Sequence, residues 1–279
     1  MRVNMYRIDR KNVGDWWSPP FRYFPFTSHR QIDIKDVDQL PNEGGLVIFG
    51  GGGLGQTGFR AYTEKLTRPD RKYKLIAWGV GGDTFTDRSA AMTVGRDMES
   101  LTGYLSDFDE IGTRIFAPAQ AHDERYHWVP CASCLAPLFY KFRSRQPVEK
   151  IGVYEHLRVP VGPHLGPGTT IRDRLFGKYP LMSNRGINLA SKLDFMSRFE
   201  IIVTNSYHGV YWATLLGRKV VCVAFKNGLF SFKHAPSYLG PDGLGAAAER
   251  AIAYPHALEE CRIANIKYYS YLVNKYGDI

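Results

Sequence analysis

A histidine beside a polar turn, two runs of glycine and a set of dispersed basic residues are the parts of this sequence that can do chemistry. In Thr204-Asn205-Ser206-Tyr207-His208-Gly209, an imidazole stands where the apolar run 201–204 gives way to a small-residue stretch with helical character, 209–216. A helix starting there offers N–H groups and the positive end of its dipole to an anion, and an imidazole titrating near pH 6.5 can give or take a proton beside it. Anion binding next to proton transfer is one reading of the segment. A histidine that only makes structural hydrogen bonds is the other.

Gly50, Gly52 and Gly55 formally satisfy the G-x-G-x-x-G spacing directly after the apolar run 46–49. A dinucleotide-binding unit would open its domain and carry an acid at the end of the next strand. Here about 45 residues precede it and the next strand ends in Ala77-Trp78-Gly79, which argues against nicotinamide or flavin. What remains is close backbone approach of a ligand to Gly51, Gly52 and Gly53, or simply a tight turn. A second glycine turn at 78–82 and the loop Asn12-Val13-Gly14-Asp15 would open at the same edge of a sheet, and Lys226, after the run 220–225, could face the same crevice.

The elements that must position these residues are short apolar runs rich in β-branched and aromatic side chains: 3–8, 46–49, 75–78, 151–154, 201–204 and 220–225. Stretches of helical character lie between or after them, at 88–105, 188–198, 209–216 and 258–271. Such alternation predicts α/β architecture with largely parallel strands. The polar, proline-containing stretch 142–150 divides the chain into two α/β halves, residues 1–145 and 146–279, with a loop at 159–168 and a docked helix over 257–276.

The chain has 279 residues, 44% hydrophobic and 23% charged, enough for two modest cores. Thirty-six Lys and Arg against 27 Asp and Glu leave a net charge of +9, so anionic ligands are favoured. No consecutive run of basic residues marks a nucleic-acid tail, and no nucleic-acid partner is expected. Cys131 and Cys134 form a C-x-x-C pair without a second pair or spaced histidines, so buried thiols rather than a metal site are expected. No apolar run reaches the roughly 18–20 residues of a membrane span, and the N-terminus lacks a signal core, which predicts a cytoplasmic protein.

Taken together, Asn12/Gly14/Asp15, Gly50–Gly53, Trp78-Gly79-Val80-Gly81, Asp109-Glu110-Ile111-Gly112-Thr113-Arg114 and the His208 segment resemble, in order and spacing over nearly the whole chain, the polysaccharide pyruvyl transferase family. The resemblance implies two Rossmann-like domains facing across a cleft, similar to GT-B glycosyltransferases. It also implies transfer of pyruvate from phosphoenolpyruvate to a sugar of a polysaccharide or its lipid-linked precursor, with no cofactor beyond that donor and no metal. His208 matches the catalytic histidine; Arg114 and Lys226 match basic donor-binding residues. Asp15, Gly51, Gly52, Gly53, Asn205 and Ser206 complete the candidate substrate-binding set. The chain departs from the family where many members carry arginine, at Ser206, and where aspartate usually follows the arginine, at Ile115; Arg88, Arg96 or Lys233 could compensate. Among the aromatics, Trp16 and Trp17 beside Asp15 are candidates to stack on an acceptor sugar, against the alternative of core packing. Association with the inner face of a membrane carrying a lipid-linked acceptor is compatible with these features. A nucleotide-sugar-dependent glycosyltransferase of the same fold and a non-catalytic domain binding anionic glycans are the competing readings.

Overall fold

Apolar runs that end in glycine or polar turns become two parallel sheets in the computed structural model, which describes residues 1–26, 29–82, 105–116, 123–161, 179–224, 229, 231–277 and 279. The first sheet contains β1 (Arg2–Tyr6), β2 (Arg30–Asp33), β3 (Gly45–Gly50), β4 (Tyr73–Val80), β5 (Glu110–Thr113) and β6 (Tyr126–Trp128), in the order β2-β1-β3-β4-β5-β6. The second contains β7 (Glu149–Glu155), β8 (Leu181–Ser183), β9 (Phe199–Thr204), β10 (Lys219–Cys222) and β11 (Ser237–Tyr238), in the order β11-β10-β9-β7-β8. Every pairing in both sheets is parallel. Strands such as β3 and β4 are buried along nearly their whole length, so their side chains are apolar on both faces instead of alternating.

Strand order reverses between β1 and β3 in the first sheet and between β9 and β7 in the second. Open α/β sheets bind ligands outside the carboxyl ends of their strands at such reversals. The loops after β1, β3, β7 and β9 therefore frame the crevice.

Helices α1 (Val13–Trp17), α2 (Arg60–Leu66), α3 (Leu138–Arg143), α4 (Leu189–Ser197), α5 (Tyr207–Leu215), α6 (Gly243–Arg250) and α7 (Ala257–Tyr276) are set around the sheets. The helices predicted at 188–198, 209–216 and 258–271 correspond to α4, α5 and α7; α5 begins two residues early, which brings His208 into its first turn. The helix predicted at 88–105 lies almost wholly outside the described residues, as does most of the loop predicted at 159–168.

The stretch 142–150 separates the two sheets, but the cores interleave across it. Cys131, Phe139 and Phe142 pack with Leu193, Phe199 and Trp212 of the second half. In return α7 lies on the first sheet: Tyr268 donates its hydroxyl to Ala77 O (2.9 Å), and Trp78 Nε1 donates to Asn265 Oδ1 (2.9 Å). Among the described residues no helix is long and apolar enough to cross a membrane.

Candidate functional site

β9 delivers its chain to Asn205 and Ser206, and α5 starts at once. Ser206 occupies the N-cap in an extended conformation, yet its side chain makes no capping bond, and its own N–H is held by Thr204 Oγ1 (3.1 Å). The first helical bond runs from Val210 N to Ser206 O (3.0 Å), so the N–H groups ahead of it have no intrahelical acceptor. His208, 6% exposed, reaches from this turn into the first half of the chain. Its Nε2 lies 3.1 Å from Ser18 Oγ and 3.5 Å from Cys131 Sγ, and its ring rests against Trp212 at 4.9 Å between centroids.

The loop that receives His208 is built by Asn12. Its carbonyl oxygen accepts from Gly14 N (3.0 Å), and its amide donates to Asp15 Oδ2 (2.8 Å). Asn184, after β8, ties this loop to the second half: its backbone carbonyl accepts from Val13 N (3.0 Å) and its amide donates to Asn12 Oδ1 (3.3 Å).

A cavity of about 500 Å³ opens here, lined from both halves by residues that include Asp15, Gly53, Arg114, Asn205, Ser206 and His208. Arg114 is 6% exposed, and its Nη1 has no hydrogen-bond partner among the described residues. Its guanidinium lies 3.6 Å from the centroid of the Tyr207 ring, a cation–π contact. Burial pushes the Tyr207 phenol well above its usual range, although the adjacent arginine opposes this, so Tyr207 is a neutral platform for the charge. Glycine at position 81 makes room, since a Cβ there would lie 2.0 Å from Arg114 Nε.

Arg7, Lys35 and Arg158 add positive charge to the cavity, against Asp9 and Asp15. Asp33 organises the first two: its carboxylate accepts from Arg7 Nη1 (2.5 Å), Ile8 N (2.7 Å) and Lys35 N (2.9 Å).

Six of the candidate residues thus converge: Asp15, Gly53, Arg114, Asn205, Ser206 and His208. Gly51 and Gly52 do not line the cavity. Both have φ of +90°, in the left-handed region that favours glycine, and a Cβ on Gly51 would also lie 2.8 Å from Pro19 N. The turn also spends backbone donors internally, Gly51 N on Trp78 O (3.1 Å) and Gly55 N on Gly81 O (2.9 Å). Asn205 points its amide at the loop after β7, accepting from His156 N and donating to Val159 O, both 2.8 Å, so it holds that loop in place.

Trp16 and Trp17, expected to stack on an acceptor, do not reach the cavity. Arg22 lies over both rings, at 4.4 and 5.6 Å, and Trp17 Nε1 donates to Ile187 O (2.7 Å) across the halves. Lys233 pairs with Glu260 (2.8 Å) and lies over Trp128; it does not line the large cavity but a small pocket on the other side of Arg114 and Tyr207. Lys226, Arg88 and Arg96 lie outside the described residues. All four cysteines are buried and unbridged, and Cys131 is the one that touches the histidine. Among the described residues no three His, Cys, Asp or Glu side chains converge to hold a metal ion.

Sequence reasoning missed Ser18, Arg7, Lys35 and Arg158. Ser18 stands between Trp17 and Pro19 in a context that suggests only a turn, and it meets His208 from 190 residues away.

No family model and no curated protein matches the chain by sequence. Solved structures match it by fold. S. aureus MnaA in complex with UDP superposes with a TM-score of 0.50 at 10% identity, covering 98% of this chain and 98% of that one. A Listeria monocytogenes protein described as a UDP-N-acetylglucosamine 2-epimerase gives 0.51 at 8% identity, covering 81% and 79%. At such identity the likeness is one of architecture: two parallel α/β lobes facing across a cleft, the GT-B-like fold.

Proposed function

We propose that the chain is an enzyme of glycan assembly that moves pyruvate from phosphoenolpyruvate onto a sugar as a ketal. The observation that carries this reading is the meeting, on one cavity, of the buried Arg114 Nη1, unpartnered among the described residues, the N-terminus of α5 and the His208 imidazole. Phosphoenolpyruvate brings a carboxylate and a phosphate, both suited to a guanidinium and helix N–H groups. The family resemblance of residues 109–114 and 204–209 selects this chemistry among those a GT-B-like fold can host.

In the proposed reaction, protonated His208 gives its proton to the donor's methylene carbon, which becomes a methyl group and leaves C2 electron-poor. A sugar hydroxyl oxygen bonds to C2 and its proton returns to His208. The bond from C2 to the phosphate oxygen then breaks, the electron pair leaving with phosphate. A second hydroxyl of the same sugar bonds to C2, and its proton goes to the departing phosphate. Arg114 holds the donor's negative charge throughout, and general acid–base catalysis by one group supplies about 100- to 10,000-fold. The acceptor is a sugar hydroxyl pair on a polysaccharide or its lipid-linked precursor.

Thermal unfolding tests the reading. Phosphoenolpyruvate at about 100 times Kd stabilises the native state by about 2.7 kcal/mol. Arg114→Gln abolishes that stabilisation, and His208→Asn retains it while phosphate release with a sugar acceptor stops. Stabilisation by UDP with none by phosphoenolpyruvate overturns the reading in favour of a nucleotide-sugar-dependent glycosyltransferase.

A further inference from the structure

The hydrogen bonds behind His208 run in one direction, because both ends of the chain they form have fixed roles. Trp212 Nε1–H can only donate, and it donates to Ser133 Oγ (2.9 Å). The Ser133 hydroxyl passes its hydrogen to Cys131 Sγ (3.1 Å), and the Cys131 thiol donates to Ser18 Oγ (3.3 Å). The Ser18 hydroxyl in turn donates to Gly14 O (2.5 Å), a carbonyl that can only accept. Trp212, Ser133, Cys131 and Ser18 are all at most 1% exposed, so water does not interrupt the order.

Ser18 has a single hydrogen, and Gly14 O receives it. The hydrogen shared between Ser18 Oγ and His208 Nε2 (3.1 Å) must then belong to the imidazole. With one bond donated and two accepted, the Ser18 oxygen is fully satisfied.

We infer that this buried relay fixes neutral His208 as its Nε2–H tautomer, so that Nδ1 is the nitrogen that exchanges the proton. Ser18 is accordingly a positioning residue. Protonation adds a hydrogen at Nδ1 and leaves the bond from Nε2 to Ser18 unchanged in direction, so the ring needs no rotation between its two charge states. That bond strengthens when the ring is cationic, which favours the charged form as the proton is loaded.

The tautomer is a property of the folded protein, whereas its catalytic consequence rests on the pyruvyl-transfer reading. NMR of isotope-labelled imidazole nitrogens in the wild type, at a pH where His208 is neutral, shows the hydrogen on Nε2. In the transfer assay Ser18→Ala lowers kcat by about 10- to 100-fold, the value of one hydrogen bond to a charged group, with KM for phosphoenolpyruvate unchanged. Ser18→Thr, which keeps the hydroxyl, recovers turnover. A wild-type Nδ1–H tautomer, or a folded Ser18→Ala with wild-type kcat, overturns the inference. An Nε2–H tautomer in a protein that never turns over phosphoenolpyruvate upholds the relay and removes the proposed donor.

Discussion

Gly14 and His208 are packed so closely that no side chain fits between them: a Cβ on Gly14 would lie 2.1 Å from His208 Nδ1. The contact joins the first turn of α1 to the first turn of α5, across the two halves of the chain. Gly14→Ala therefore displaces the imidazole while removing no polar group. Misplacing a catalytic group by about 1 Å costs on the order of 100-fold in rate. The expected outcome is a loss of turnover of that size with phosphoenolpyruvate binding retained, read from initial rates and from ligand-induced thermal shifts.

Arg114 depends on shape as well as charge. Its planar guanidinium stacks on Tyr207 and passes the bare Cα of Gly81, a geometry that a lysine ammonium cannot copy. Arg114→Lys keeps the positive charge yet weakens phosphoenolpyruvate by about tenfold or more, as loss of a bidentate donor does. Gly81→Ala weakens it similarly with the arginine still present, because the new methyl group collides with Nε. Isothermal titration of both variants checks the pair, and wild-type affinity in Gly81→Ala would contradict the packing argument.

Much of the scaffold was legible because parallel strands buried on both faces read as unbroken apolar runs, as in 46–49 and 75–78. His208 was legible for a related reason: strand, polar turn and helix follow one another within a dozen residues. The short strands β2, β6, β8 and β11 carry too few apolar residues to stand out, and pairing with a neighbour decides their state. Ser18 and Cys131 became visible only when the halves met, since each approaches the histidine from far along the chain. The glycine run pointed to the right place for the wrong reason. Gly51 and Gly52 are glycines because the turn takes φ of +90° at both, and of this run it is Gly53 that lines the cavity. Asp33 carries no local signal of its role, because it acts by tying the loop after β1 to the turn after β2.

Acid should weaken the fold through His29. Burial, helped by the nearby charge of Arg2, pushes its imidazole down from 6.5 to about 4, and neither ring nitrogen has a hydrogen-bond partner among the described residues. The unfolded chain therefore binds the proton first as pH falls. The stability His29 contributes is complete above the unfolded value of 6.5 and is lost progressively from there down to about 4. Burial lowers His127 and His234 as well, so they add to the same slope. Urea unfolding midpoints across that window should fall for the wild type and fall less for His29→Gln. Equal slopes for the two proteins would show that His29 is solvated and titrates normally.

Glu110 holds the last helix in place. It begins β5 and is completely buried, with its carboxylate accepting from Tyr271 (2.9 Å), Tyr276 (2.8 Å) and Lys275 (2.5 Å). These three donors occupy the end of α7, while its beginning packs Ala257, Leu258 and Cys261 into the core around Leu193 and Trp212 of the second half. The helix thus spans both halves, and Glu110 anchors its far end. Hydrogen bonding to Glu110, and then to Tyr271, raises the Lys275 ammonium above its usual range, as a retained ion pair requires. Glu110→Gln keeps the volume but removes the charge and one acceptor, at a cost of about 1–3 kcal/mol in unfolding free energy. Because Glu110 lies at the amino end of its strand, away from the carboxyl edge where the cavity opens, phosphoenolpyruvate affinity should stay at the wild-type value. Denaturant unfolding and ligand titration of the same variant separate the two effects, and a loss of affinity together with stability would mean that α7 sets the separation of the two halves.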